Sequence, residues 1–258
     1  MIIFVFIVCL VASTIGGVCG VGGGVVIKPL LDAIGIMTVS TLSFLSGLTV
    51  LAMSIVNIWN NRKNRAIDVK RSMPLGIGAA LGGIFGKQMF HGLKLVVNSE
   101  RLVGLVQSIV LGILLLGTLI YVYNKNHVYT HKFKHPIFCI IIGILLGVLS
   151  SFLGIGGGPM NLIVLYYFFS MDTMQAAINS IIIILLSQFT SFCVTLISNA
   201  TPSFDWGVLI AMVSGGIIGG LVSAKLQKKL SPQKVDRLFI ILIIVILLIC
   251  IYNISALL

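Results

Sequence analysis

Two glycine runs are the places where this chain could do chemistry. Gly20-Val21-Gly22-Gly23-Gly24 and Gly154-Ile155-Gly156-Gly157-Gly158 lie 134 positions apart, each inside a long apolar stretch. A helix broken in lipid releases backbone groups that no water can satisfy. Unwound glycine presents N–H groups, and the N-terminus of a following half-helix adds partial positive charge, so an anion can bind there without a charged side chain. On this reading Gly22, Gly23, Gly24, Gly156, Gly157 and Gly158 form the centre of a binding site. The competing reading is close helix packing through small residues. A dinucleotide or P-loop does not fit, because no strand-like run precedes either signature and no Lys-Ser/Thr follows.

Polar side chains in the neighbouring apolar stretches add donors. On a helical wheel Ser180, Ser187 and Ser191 fall within about 40° of one another, flanked by Asn179 and Thr190. Ser43, Ser46, Ser54 and Asn57 fall within about 80°. Such stripes either line a substrate path or bond helices to each other. Ser46, Asn179, Ser180 and Ser187 are the candidates for the shell of a bound anion, with Gln188 off the main arc. Lys28 is the one basic residue inside the first broken stretch. It either complements an anion, or snorkels to the interface, or pairs with Asp32 four residues on. The matching position in the second half is Leu162, so Lys28 is not a duplicated requirement.

Asp32, Asp68, Glu100, Asp172, Asp205 and Asp236 all fall at the ends of apolar stretches or between them. With no carboxylate in mid-membrane, a proton or sodium relay has no obvious carrier. His127, His131 and His135 share a four-residue spacing, but Pro136 and intervening lysines point to an exposed loop, and no metal or cofactor is expected. The five cysteines sit in apolar stretches without CxxC spacing and read as small buried hydrophobes, Cys19 beside the first signature being the one worth testing. No nucleophile, metal cluster or paired acids mark an enzyme.

The elements that position these residues follow from composition. Of 258 residues 58% are hydrophobic and only 9% charged, with a mean hydropathy of +1.16. A soluble domain carries about a quarter charged residues. The chain is therefore expected to be an all-α polytopic membrane protein with the lipid bilayer as its partner. Its net charge of +11 lies in short loops between spans, which argues against a nucleic-acid surface. The first ten residues lack a basic n-region and read as part of the fold rather than a cleaved signal.

Eight apolar segments can be drawn, at 2–31, 40–59, 73–92, 102–123, 136–169, 174–198, 206–226 and 238–257. The first and fifth exceed the roughly 20 residues a span requires and carry the glycine breaks. Ser46 matches Ser180 at the same offset as the signatures. After a shift of three, Asp68 matches Asp205, and Gly78, Gly82 and Gly86 match Gly215, Gly219 and Ser223. These small-residue rows suit close helix approach, either between the halves or between two chains of a homo-oligomer. The chain thus reads as two repeats, 1–123 and 136–258, joined by a polar linker at 124–135. If all eight segments cross once, basic residues divide evenly between the two sides, against the positive-inside rule. If segments one and five return to the side they entered from, the loops around 60–71, 124–135 and 225–237 gather on one side and only Lys87, Lys94 and Arg101 face the other. Each half then crosses three times, and the second repeat is inverted.

These residues resemble the TauE/SafE-type sulfite and sulfonate exporters of the four-toluene-sulfonate-uptake permease group. The resemblance rests on Gly20 to Gly24 followed by Pro29, Gly154 to Pro159, Ala177-Ile178-Asn179-Ser180, and Asp205-Trp206 ahead of the Gly215 row, and it covers nearly the whole chain. It departs at Ser43-Phe44-Leu45-Ser46, where an Ala/Asn/Ser-like stretch is expected, and at Ile163, where a proline would match Pro29. It implies transport of small, often sulfur-containing anions across a bacterial cytoplasmic membrane. The expected function is an exporter of sulfite, sulfonate or related anions working by alternating access around a midplane site. Import, a carboxylate substrate, or a non-transporting membrane subunit are the alternatives.

Overall fold

A computed structural model describes residues 1–62, 67–97, 99–125, 129–133 and 135–257. Among these the fold is all helix and loop. The helices are α1 (Ile2–Cys19), α2 (Gly24–Ile34), α3 (Val39–Asn61), α4 (Val69–Val97), α5 (Glu100–Asn124), α6 (Pro136–Leu153), α7 (Pro159–Phe169), α8 (Thr173–Ile197), α9 (Trp206–Gln227) and α10 (Pro232–Leu257). The element pattern of α1–α5 recurs as α6–α10. The two overlong apolar segments each resolve into a long and a short helix.

Local chemistry sets the boundaries. Thr38, Ser99, Asp172 and Asp205 cap α3, α5, α8 and α9, each accepting a first-turn backbone N–H on its side-chain oxygen. α1 and α6 end at Gly20 and Gly154, whose left-handed φ of 74° and 64° a residue with a side chain adopts only at a cost. Seven helices, α1, α3, α5, α6, α8, α9 and α10, are long and apolar enough to cross a bilayer. α2 and α7 have 11 residues each, about 16 Å, half of the hydrocarbon thickness. α4 is long enough but carries Lys70, Arg71, Lys87 and Lys94. Lys87 and Lys94, expected in a loop, therefore lie on a helix. Long aliphatic stems let lysines sit in apolar helices with the ammonium reaching polar surroundings.

Both broken segments are hairpins that return to the end they enter from. The start of α1 lies against the start of α9, with Ile2 Cδ1 only 3.3 Å from where a side chain at Gly207 would begin. The start of α3 is at the same end, where Thr41 Oγ1 donates to Ser203 O at 3.0 Å. In the second half, His131 and Phe133 of the linker donate their backbone N–H groups to Tyr167 and Phe168 at the end of α7, at 2.7 and 3.1 Å. The linker residues 129–133 are exposed but tied down by these bonds and by stacking of His131 on Phe133. His127 lies outside the described residues. α6 thus starts where α7 ends.

The loops gather at two ends accordingly. Lys125–Asp236 at 2.6 Å, Lys228 Nζ to Asn60 O at 3.0 Å and Arg71 Nη1 to Phe169 O at 3.1 Å join the basic loops at what we call the linker end. Glu100 marks the other end, pairing with Lys94 at 2.8 Å and accepting from Ser40. The first half runs α3, α4 and α5 from end to end, the second α8, α9 and α10, and the halves run in opposite directions.

The halves interlock. α4 packs along α6 and α8, and α9 packs in the equivalent way along α1 and α3. The small-residue rows make this possible. A Cβ at Gly78 or Gly82 would collide with the Ile140 or Ile144 carbonyl of α6, and one at Gly215 or Gly219 would press on Phe6 O or Leu10 O of α1 at 2.8 Å. The rows therefore join the two halves within one chain.

Overpacking such contacts costs about 1–3 kcal/mol or more. Gly82→Leu and Gly219→Leu should each lower the unfolding temperature in detergent clearly, whereas Gly117→Leu, which has nothing within 4 Å, should leave it near that of the parent. Equal effects of all three would contradict the interlock.

Candidate functional site

The two glycine breaks meet. After Gly20 the chain turns sharply, with Val21 and Gly22 donating their N–H groups to Gly16 O at 2.9 and 3.2 Å. Gly22, Gly156 and Gly157 hold φ values of 82°, 76° and 133°, which glycine alone adopts freely. A Cβ at Gly24 would strike Ile155 O, and one at Gly22 would come within 3.8 Å of Gly156 O. The space between the breaks is filled. Val50 and Ile184, equivalent positions in the two repeats, both approach to 3.5 Å of that Gly22 position, and they crowd Gly156 and Gly157 in turn. Gly23 packs on Ser13, and Gly158 precedes Pro159 at the start of α7. The breaks form an apolar plug rather than an open chamber.

The side chains singled out from sequence divide into three groups. Ser46 supports a break directly: its hydroxyl donates to Gly154 O at 2.9 Å. Lys28 neither snorkels nor reaches the Gly22–Gly156 contact. It is 3% exposed, and its ammonium donates to Leu153 O and Gln107 Oε1, both at 2.5 Å. Gln107 in turn donates Nε2 to Phe152 O at 2.6 Å. Together they satisfy two carbonyls left open where α6 stops, and the positive charge meets the negative end of that helix. Asn179 sits elsewhere. Its Oδ1 accepts from Asp68 N at 2.9 Å and Ser72 Oγ at 2.5 Å, fastening α8 to the start of α4. Ser180 and Ser187 are buried with no partner for their hydroxyl oxygens.

Two openings flank the second break: an apolar one of about 320 Å³ lined by Gly157, Gly158, Asn161 and leucines of α5 and α6, and a polar one toward the Glu100 end. The polar cleft of about 300 Å³ is lined by Ser43 and Gly47 of α3, Lys87 of α4, Ser151 and Gly154 at the end of α6, and Gln188, Ser191 and Thr195 of α8. Ser43 and Ser151 are 5% and 3% exposed, and neither hydroxyl has a partner. Ser187 adjoins this wall: its Oγ and that of Ser151 lie 3.7 and 3.3 Å from the Cβ position of Gly83. Gln188 Nε2 makes a long 3.4 Å contact to Ser150 Oγ. Lys87 stands 5.5 Å from the Phe90 ring centroid. Phe44, Leu48 and Phe192 supply an apolar side. The lining offers hydroxyl and amide donors with one ammonium, and no carboxylate belongs to it. An unpaired buried hydroxyl costs about 1–3 kcal/mol unless a ligand or water completes it, which makes this cleft the candidate site.

The comparisons with known proteins decide what kind of machine carries this site. The family described as sulfite exporter TauE/SafE matches residues 5–249. The chain belongs to the TauE/SafE sulfite exporter family. It is 25% identical over 263 residues to the probable membrane transporter protein YunE of Bacillus subtilis strain 168, covering 92% of each chain. It is 24% identical over 235 residues to a probable membrane transporter protein of Xylella fastidiosa strain 9a5c, covering 88% of this chain and 86% of that one. No solved structure is detectably similar. This TauE/SafE chain is a multi-pass bacterial membrane protein and a membrane transporter.

Within it, sequence reasoning missed Ser151 and Lys87. Ser151 precedes the second break where the first repeat has Gly17, and Lys87 is the lone charge within residues 73–92; both signals were visible as breaches of the repeat or of the apolar pattern.

Leaving the Leu153 carbonyl without its donor costs about 1–3 kcal/mol. Lys28→Met and Gln107→Leu should each reduce thermal stability in detergent, and the double variant should lose less than the sum, because both act on one network. Full additivity would contradict the shared cap.

Proposed function

We propose that this transporter moves a small anion, with sulfite or a short sulfonate as the leading class, and that export is its physiological direction. The observation that carries the reading is the cleft itself: unpaired Ser43 and Ser151 hydroxyls, the Gln188 amide and the Lys87 ammonium converge beside a broken helix, with no carboxylate in the lining. Charge-assisted hydrogen bonds from such donors suit a compact oxyanion. Phe44, Leu48 and Phe192 give room for the short carbon part of a sulfonate.

Ser46 holds the Gly154 carbonyl, and Lys28 with Gln107 holds the two carbonyls before it, so the wall against which the anion rests is rigid. Lys28 serves by positioning. Lys87 is the cation that meets the substrate. Basic residues at the linker end, among them Arg62, Arg71, Lys125, Lys228 and Lys229, support a cytoplasmic linker end under the positive-inside rule. The cleft then faces outward. With the cell interior negative, each exported negative charge gains about 2.3 kcal/mol per 100 mV, so export needs no coupling carboxylate.

Proteoliposome flux of labelled sulfite and of a short sulfonate tests the reading, alongside thermal shifts with a panel of small anions. A ligand that binds the folded state alone must raise its stability. Lys87→Met should cut sulfite flux at least about tenfold and remove the sulfite-induced stabilisation, with Lys87→Arg retaining part of both. Sulfite flux unchanged in Lys87→Met, or stabilisation by carboxylates but not by sulfite or sulfonates, would contradict it.

A further inference from the structure

The internal repeat assigns the cleft a counterpart. Gln188, Ser191 and Thr195 of α8 correspond to Ser54, Asn57 and Asn61 of α3, Ser151 and Gly154 of α6 to Gly17 and Gly20 of α1, and Lys87 of α4 to Ala224 of α9. The contacts obey the same correspondence: a Cβ at Gly154 would meet Ser43, and one at Gly20 would meet Ala177, the residue equivalent to Ser43. The counterpart lies at the linker end, on the other side of the Val50–Ile184 plug.

The two places are in opposite states. In the cleft the Ser43 and Ser151 hydroxyls are unpaired around open space. In the counterpart each amide nitrogen donates a hydrogen bond within the protein. Asn57 Nδ2 donates to Ser223 Oγ at 2.8 Å. Asn61 Nδ2 donates to Asn57 Oδ1 at 3.0 Å and to Gln227 Oε1 at 2.9 Å. Gln227 Nε2 donates to Gly17 O at 2.8 Å. Asn57, Asn61, Ser223 and Gln227 are each at most 3% exposed. The cluster also keeps two buried oxygens without partners, Asn61 Oδ1 and Ser54 Oγ, so its hydrogen bonding is incomplete in this closed arrangement.

We propose that the Asn57–Asn61–Ser223–Gln227 cluster is the closed gate at the linker end and, once open, the second station of the same anion. The proposal rests on the anion reading of the cleft. The chemistry is an exchange of acceptors. The three amide donors now bond neutral oxygens of the protein, and an oxyanion accepts from the same donors more strongly. Opening the gate without an anion leaves buried donors and the Gly17 carbonyl without partners, which holds it shut when empty. An anion arriving from the linker face replaces those acceptors and so favours the open state.

Single cysteines report both features in sealed vesicles with a membrane-impermeant maleimide. Only Cys193 need be replaced by serine, because the other four cysteines are buried. Ser191→Cys should label from the Glu100 face, and Ser54→Cys, whose hydroxyl takes no part in the gate bonds, should be protected. Adding Gln227→Ala should raise labelling of Ser54→Cys at least about tenfold, from the linker face only, while labelling of Ser191→Cys falls. Labelling of both from one face, or no response of Ser54→Cys to Gln227→Ala, overturns the gate. With the gate loosened, millimolar sulfite should slow labelling of Ser54→Cys several-fold; absence of protection, in a protein that transports sulfite, overturns the second station. Failure of every anion to move or to stabilise the parent protein counts instead against the reading of the cleft, since the labelling pattern requires no anion.

Discussion

A helix that stops inside a bilayer leaves carbonyls that neither water nor lipid can satisfy, and this constraint organises the whole molecule. The fold meets it twice, with different residues. Where α1 stops, Gln227 Nε2 bonds the Gly17 and Val18 carbonyls at 2.8 and 3.3 Å. Where α6 stops, Gln107, Lys28 and Ser46 hold the Phe152, Leu153 and Gly154 carbonyls in turn. In each case the donors come from the half opposite to the carbonyls they hold. Breaking the helices therefore welds the repeats together at their centre, and the small-residue rows complete the weld along α4–α6 and α1–α9.

The two solutions differ in a way that bears on function. The α6 end is capped by a lysine and a glutamine that belong to no gate, so it stays fixed. The α1 end is capped by Gln227, which also accepts from Asn61. Holding the first break and sealing the linker end are thus one set of bonds. The repeat is matched in the order of its helices but not in chemistry: Gly17 stands opposite Ser151, and Leu162 opposite Lys28. A polar cleft on one side and a bonded cluster on the other follow from those substitutions.

Much of the fold was legible because its determinants are local or periodic. Paired glycine runs, apolar stretches and matched landmarks mark the repeat, and loop charges mark the returning hairpins. The site was less legible because depth and facing are tertiary facts. The glycine backbone that looked like the anion's cradle is plugged by Val50 and Ile184, two residues that no sequence pattern separates from core. Asn179 flanks the wheel arc that holds Ser187, yet it serves the start of α4 about two turns away. Lys28 stands out in the sequence as the one basic residue inside the first broken stretch, but its partner carbonyl lies 125 residues away in the chain. Lys94, read as a loop charge, lies on a helix because α4 runs past the apolar stretch to Val97, and Lys87 lies within that stretch itself.

On the proposed reading, substrate rests in the cleft beside the second break and not between the breaks. A high-resolution cryo-electron microscopy map of the protein in lipid nanodiscs with sulfite is the sharpest test. Density for the anion is expected within hydrogen-bond reach of Ser43, Ser151, Gln188 and Lys87, with Val50 and Ile184 still packed between Gly22 and Gly156. Density between the two glycine loops, or against Lys28 with Leu153 released, would contradict it.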